Sequence, residues 1–264
     1  MSSPLRIIQI SDTHLFSDSS KTLLGVPTQK SFEAVLDLIR QEEKKIDLII
    51  HSGDVAQDYS PDAYVRFAEM IQTFQVPVYC IPGNHDDPSI MVELYPQGLV
   101  TNNKHIVTKH WQIILLDSHK PHSVAGELNP LELKYLEHCL QTHPELKAAV
   151  FFHHQPIQVD SRWLDNVGLL NADKLWEILA KFPQVKAVIF GHIHQEYDQE
   201  RNGIKCIAAP STCFQFMRKQ NHFGLEKLSP GYRWIDFYDD GRMETEIKRT
   251  DEYVGKFDGE AKGY

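Results

Sequence analysis

The stretch Arg6-Ile-Ile-Gln-Ile10-Ser-Asp12-Thr-His14 runs an apolar, strand-like segment straight into an acid and an imidazole. Its β-branched residues read as a strand, and the polar pair falls just past the strand's carboxyl end. The same arrangement recurs along the chain. Asp47 to Ile50 precedes Gly53-Asp54, and Val78 to Ile81 precedes Gly83-Asn84-His85-Asp86. Ala148 to Phe152 precedes His153-His154-Gln155-Pro156, and Ala187 to Phe190 precedes Gly191-His192-Ile193-His194. Open α/β sheets build ligand sites outside the carboxyl ends of their strands, so these polar clusters are placed to converge.

Helical periodicity fills the intervals between strands. Thr28 stands as a candidate N-cap before Phe32, Val35, Leu36 and Ile39. Ser60-Pro61 opens a segment carrying Tyr64, Phe67, Ala68 and Ile71 on one face, and Asn129-Pro130 opens another with Leu133, Leu136 and Leu140. Asn171 precedes Leu175, Ile178, Leu179 and Phe182. Trp111 to Leu116 is a further strand. Beyond Gly191 the pattern is strand only, with Ile204 to Ala208, Tyr232 to Phe237 and Met243 to Ile247, the last two joined by an Asp240-Gly241 hairpin turn. Alternation of this kind predicts an α/β protein with a mixed sheet system. The expected organisation is one domain over residues 1–249 and a poorly ordered polar tail over 250–264.

Carboxylates, imidazoles and one amide, with no thiolate, suit divalent transition metals. Taken singly the motifs say little: D-x-H arises by chance, and G-D is commonly a turn. The ordered set, each member behind its own strand, is what turns and core histidines do not explain. The donors outnumber what one tetrahedral ion uses, and a carboxylate bridges two ions readily, so two divalent ions are expected. Either histidine of the 153–154 pair is a possible donor at this level. Other histidines, including His51, His110 and His222, fit no ligand pattern and read as structural.

Composition narrows the function classes. The net charge of −9 over 264 residues argues against a broad nucleic-acid or anionic-membrane surface. No apolar run reaches the roughly 18 residues of a membrane span. The four cysteines, Cys80, Cys139, Cys206 and Cys213, form no C-x-x-C pair and read as reduced core thiols. A soluble cytoplasmic protein is expected; its oligomeric state is not legible.

The ordered set D-x-H, G-D, G-N-H-D, H and G-H-x-H resembles the signature of the calcineurin-like metallophosphoesterases. The resemblance implies a four-layer αββα sandwich of two mixed β-sheets flanked by helices, with a dinuclear centre at one end. It implies that Asp12, His14, Asp54 and His194 hold the first metal, and that Asp54, Asn84, His154 and His192 hold the second. His154 is chosen by the family's His-x-Pro spacing, with His153 turned to the other side of the strand end. His85 is the implied catalytic residue beside the scissile phosphate, with His14, Asp54, Asn84 and His194 completing the substrate contacts. Asp86 either orients the His85 ring or caps its loop.

A closer resemblance, to the bacterial class III 3′,5′-cyclic AMP phosphodiesterases, rests on Ile10–Phe16, Leu24–Val26, Gly53–Asp58, Trp111–Ser118, Trp163–Asp165 and Gly191–Glu196. Ala209–Phe216 and Pro230–Arg233 strengthen it because they carry no ligand motif. What it implies is hydrolysis of 3′,5′-cyclic AMP to 5′-AMP by a hydroxide bridging two ions, iron or manganese, with zinc as the alternative. The expected partner is a small cyclic nucleotide, with no nucleic acid and no membrane. Rival substrates are 2′,3′-cyclic nucleotides, glycerophosphodiesters and phosphomonoesters, and a non-catalytic scaffold is the rival of another class. Residues Phe16 to Val26, Arg162 to Asn171 and the Ser211 region are expected to wall the nucleotide pocket. Trp163 either stacks on adenine or packs in the core.

Overall fold

Strand Leu5–Ile10 divides its side chains between two apolar environments, as the period of two requires. Ile7 joins Ile50, Ile113, Phe151, Ile189 and Ile235 in a core that draws on two different sheets. Ile8 and Ile10 turn the other way, onto helical residues such as Phe32, Val35, Phe67 and Ile71. The structure is a computed structural model that describes residues 3–251 together with 255, 256, 258, 261 and 263.

Two six-stranded sheets lie face to face. The first runs in the order Met243–Arg249, Gly231–Phe237, Leu5–Ile10, Leu48–His51, Val78–Cys80 and Val100–Thr101. The second runs Tyr197–Arg201, Ile204–Ala208, Val185–Phe190, Lys147–Phe151, Trp111–Leu115 and His105–Val107. Strands at the centre of each sheet are parallel; antiparallel partners close three of the four margins, and Val100–Thr101 closes the fourth in parallel. Helices Thr28–Glu42, Pro61–Ile71 and Pro88–Leu94 cover the first sheet. Helices Pro130–Thr142 and Ala172–Leu179 cover the second. The result is a four-layer αββα sandwich. Its parallel strands deliver their carboxyl ends to one edge, where Gln9 Nε2 donates across the sheets to the Phe190 carbonyl at 2.9 Å.

Local capping follows the sequence in part. Ser60 accepts from the Asp62 N–H and Asn129 from the Leu131 and Glu132 N–H groups, each just before a proline that needs no donor partner. The Gly231–Phe237 and Met243–Arg249 strands pair through the Asp240-Gly241 turn, where Gly241 has φ 97°. Thr28 is not a cap: Pro27 holds that position, and Thr28 is the first helical residue, buried and without a capping bond. Helix Pro88–Leu94, capped by Asp87, was not expected, since its apolar residues Ile90, Met91, Val92 and Leu94 crowd together over barely two turns and only Met91 is fully buried, too short a run to show a period. Edge strand Tyr197–Arg201 was hidden for a similar reason: its polar residues lie mostly exposed. The expected tail from residue 250 falls largely outside the described residues. Among the described residues no helix is long and apolar enough to cross a membrane, and the four cysteines are buried and free.

Candidate metal centre

Each motif leaves its strand through a tight backbone turn. Asp12, His14, Asp54, His192 and His194 all adopt positive φ, between 47° and 67°. Non-glycine residues take this region rarely, and such strain gathers at functional sites. The glycines beside them are required by crowding. A Cβ on Gly83 would stand 2.1 Å from Asp54 Oδ1, and one on Gly191 would stand 2.1 Å from Ser11 Oγ and 3.1 Å from Asp12 Oδ2. No side chain fits there.

The turns aim their side chains at one buried spot. Asp12, His14 and His194 bring one donor atom each within 4.8 Å of one another, as do Asp12, Asp54 and His153. Two further groupings, His14 with Asp54 and His85, and His153 with His154 and His192, meet the same limit. Shared members tie the four groupings into a single cluster.

Hydrogen bonds behind the rings orient the lone pairs. His14 Nδ1 lies 2.7 Å from Gln57 Oε1, and His194 Nδ1 lies 2.9 Å from the Phe214 carbonyl. Both partners only accept, so the protons sit on Nδ1, leaving both Nε2 atoms as acceptors 3.1 Å apart. Facing lone pairs repel unless a cation stands between or beside them. His192 Nε2 donates to the Val167 carbonyl at 3.1 Å, which leaves Nδ1 as its acceptor. Such outward bonds are what hold imidazole ligands in register around metals.

The histidine pair divides differently from expectation. His153, expected on the far side of the strand end, donates from Nδ1 to the Ser52 carbonyl at 2.8 Å. Its Nε2 faces Asp54 Oδ2 at 3.3 Å and Asp12 Oδ1 at 3.9 Å. His154 stands beside it, yet both its ring nitrogens are engaged, Nδ1 with Ser118 Oγ at 2.8 Å and Nε2 with the Val124 carbonyl at 3.1 Å. The spacing rule picked a neighbour of the ring that meets the carboxylates. Consecutive residues at a strand end face opposite ways, and nothing in the sequence says which way the strand ends.

Asn84 Oδ1, Asp12 Oδ2, Asp54 Oδ2 and His153 Nε2 are buried and lack a hydrogen-bond partner among the described residues. Orphaned acceptors on this scale are costly in a native interior. A cation satisfies all four, so the residues fit a metal. Electrostatics agree. Burial opposes the His153 cation, yet Asp54 and Asp12 carry its pKa up to about 9, a sign of the positive charge the carboxylates demand. Despite burial, His194 and His153 hold Asp12 below the usual carboxylate range, and His153 and His85 hold Asp54 well below it. Burial lowers His14 to about 3 and takes His154 and His192 well below the ordinary imidazole value, leaving all three rings neutral.

His85 donates its backbone N–H to Asp54 Oδ1 at 2.8 Å, and its ring packs edge-on to His14 with centroids 5.1 Å apart. Asp86 does not orient that ring. Its carboxylate accepts from the N–H groups of Val55, Ala56 and Gly83 and from Tyr64 Oη, clamping the G-D and G-N-H loops together. Residues Ala209–Phe216 brace the opposite side: Ser211 Oγ donates to the Asp12 carbonyl at 2.8 Å, and the Phe216 ring stacks on His194 at 4.2 Å. Sequence reasoning missed Gln57, Ser118 and the carbonyls of Ser52 and Val167, none of which carries a ligand signature. His51, read as structural, bridges Thr13 Oγ1 and the Gly53 N–H inside the turn.

The profile of the calcineurin-like phosphoesterase family matches residues 5–196. A 3′,5′-cyclic adenosine monophosphate phosphodiesterase CpdA from Haemophilus influenzae is 43% identical over 246 residues, covering 93% of this chain and 90% of that one. The CpdA of Escherichia coli K12 is 41% identical over 261 residues, covering 98% and 95%. Among solved structures, a dimetal phosphatase from Danio rerio superposes with a TM-score of 0.67 at 14% identity, over 95% of this chain and 100% of that one. That likeness speaks for the fold, whereas the matched profile and the long alignments speak for descent. The chain belongs to the calcineurin-like phosphoesterase family of hydrolases.

Proposed function

We propose that this protein hydrolyses 3′,5′-cyclic AMP to 5′-AMP in a dinuclear centre formed by the domain of residues 1–249, and so lowers cyclic nucleotide signalling. The observation that carries the chemistry is the set of orphaned buried acceptors on Asp12, Asp54, Asn84 and His153. Support for the substrate comes from CpdA relatives alike over more than nine tenths of this chain.

Asp12, His14, Asp54 and His194 are the proposed holders of the first ion, and Asp54, Asn84, His153 and His192 of the second. His154, the donor expected from the spacing rule, is proposed instead to buttress His153 through Ser118. When bound, two divalent ions neutralise phosphate charge and lower the pKa of water. Iron or manganese suits this donor set, and zinc is the further candidate. Asp54 would serve both positions, with its Oδ1 held by the His85 N–H and its Oδ2 turned to the cluster. The His85 ring, kept neutral by burial against the pull of Asp54, offers an N–H to a phosphate oxygen or to the departing ribose 3′-oxygen. His14, Asp54, Asn84, His85 and His194 surround the reacting phosphate. The partner is a small molecule, and free buried thiols suit a reducing cytoplasm.

The deciding experiment is a substrate panel on protein reconstituted with iron, manganese or zinc. Turnover of 3′,5′-cyclic AMP well above 2′,3′-cyclic AMP, glycerophosphodiesters and phosphomonoesters is expected. A clear preference for any of those others overturns the assignment.

A further inference from the structure

The tryptophans of this chain are anchored unequally. Trp111 Nε1 donates to the Tyr238 carbonyl at 2.8 Å, and Trp176 Nε1 donates to the Pro156 carbonyl at 2.9 Å. Trp163 Nε1 is buried with no hydrogen-bond partner among the described residues, and its side chain stays only partly buried. A tryptophan kept for packing is normally satisfied at its N–H. Trp163 is held by ring edges instead: Phe216 at 4.8 Å and Phe223 at 5.3 Å between centroids.

These rings form one wall of a cavity of about 170 Å³, whose other side is closed by Asn84, His85 and His192. Phe216 ties the cup to the metal cluster, since it also stacks on His194 at 4.2 Å. A second basin of about 500 Å³ shares His85 with the cup and is rimmed by Tyr59, Asp87, His119 and His122. His85 lines both the aromatic cup and this wider basin. Residues 16–26, expected to wall the pocket, line neither of them.

We infer that the cup of Trp163, Phe216 and Phe223 is the nucleobase subsite, so that selectivity for a base-bearing cyclic phosphate originates there and not in the His119 basin. This inference rests on the cyclic nucleotide reading above. A purine has a flat π-face that stacks on aromatic rings without needing a matched donor, and such stacking is worth about 1–3 kcal/mol per base. The cup meets the reacting centre at His85 and His192, so a base seated there leaves its phosphate facing the metal ligands. The larger basin also carries rings, at Tyr59, His119 and His122, but only the cup sets a tryptophan beside His192, and the basin is wide enough to let water or a leaving product pass.

The test compares wild type with Trp163→Leu, which keeps an apolar side chain but removes the ring, and Trp163→Phe, on 3′,5′-cyclic AMP and on methyl riboside 3′,5′-cyclic phosphate, which lacks the base. The expected result for Trp163→Leu is a fall of about tenfold or more in the ratio of kcat/KM between the two substrates, carried by KM. An unchanged ratio overturns the inference, because a merely structural role lowers both substrates together. Wild-type protein inactive on 3′,5′-cyclic AMP overturns the functional reading instead. The cup is then judged by adenosine alone: fluorescence quenching in wild type that is absent in Trp163→Phe sustains it, and equal quenching of both proteins overturns it.

Discussion

His153 Nε2 faces Asp54 Oδ2 at 3.3 Å, while the adjacent His154 spends both ring nitrogens on Ser118 and the Val124 carbonyl. Two identical side chains in sequence thus have opposite chemical availability. One turns a ring nitrogen to the carboxylates, and the other has both nitrogens taken.

The two histidines should therefore separate under mutation. His153→Ala is expected to lose one bound ion and to lower kcat by a factor of about a hundred or more. His154→Ala should keep both ions, although unpairing the buried Ser118 hydroxyl should cost about 1–3 kcal/mol of stability. Metal analysis of the two purified variants, with urea denaturation alongside, checks this. Loss of an ion from His154→Ala with retention in His153→Ala would reverse the assignment.

Gln57 holds His14 from behind through a 2.7 Å contact. Removing such a support commonly weakens metal affinity 10–100-fold. Gln57→Ala is expected to fall in that range in a metal titration followed by competition with a chelator, with little change in folding. Unaltered affinity would mean that the ring needs no support.

Gly83 illustrates packing at the site, since backbone Asp54 N would lie 2.5 Å from an added Cβ. Gly83→Ala must displace the Asp54 loop, costing about 1–3 kcal/mol and most of the activity. Gly224→Ala is the control, because its Cβ would meet nothing nearer than Met217 at 3.6 Å. Equal behaviour of the two variants in activity and urea midpoint would remove the steric account.

Asp117 offers a pH signature away from the ligands. Burial raises its pKa to about 6, against the His119 N–H that favours the charged form. A carboxyl raised on folding stabilises fully below its unfolded pKa of about 4 and loses that contribution as pH climbs through 6. Asp117→Asn should therefore be more stable than wild type at pH 8, by about 2 kcal/mol, with the gain vanishing near pH 4. Urea denaturation across that range tests the sign, and a gain independent of pH would contradict it.

Much of this was legible in the residues themselves. Strands such as Leu5–Ile10 and Val185–Phe190 announced themselves by β-branched runs ending in a polar motif, and Ser60 and Asn129 announced helices by standing before prolines. The convergence of Asp12, Asp54 and His194 was legible because each follows a parallel strand. What stayed hidden was orientation. The outward partners of the imidazoles are largely backbone carbonyls, at Ser52, Val167 and Phe214, and any residue supplies a carbonyl. The clamp role of Asp86 was hidden likewise, since its partners Val55 and Ala56 lie some thirty residues away and contribute only N–H groups.

Anomalous diffraction from crystals of the manganese-loaded protein addresses the shared carboxylate directly. Two peaks about 3.5–4 Å apart, both within bonding distance of Asp54 and divided between His194 on one side and His153 on the other, are the predicted result. A single peak, or a pair in which Asp54 touches only one ion, would contradict it.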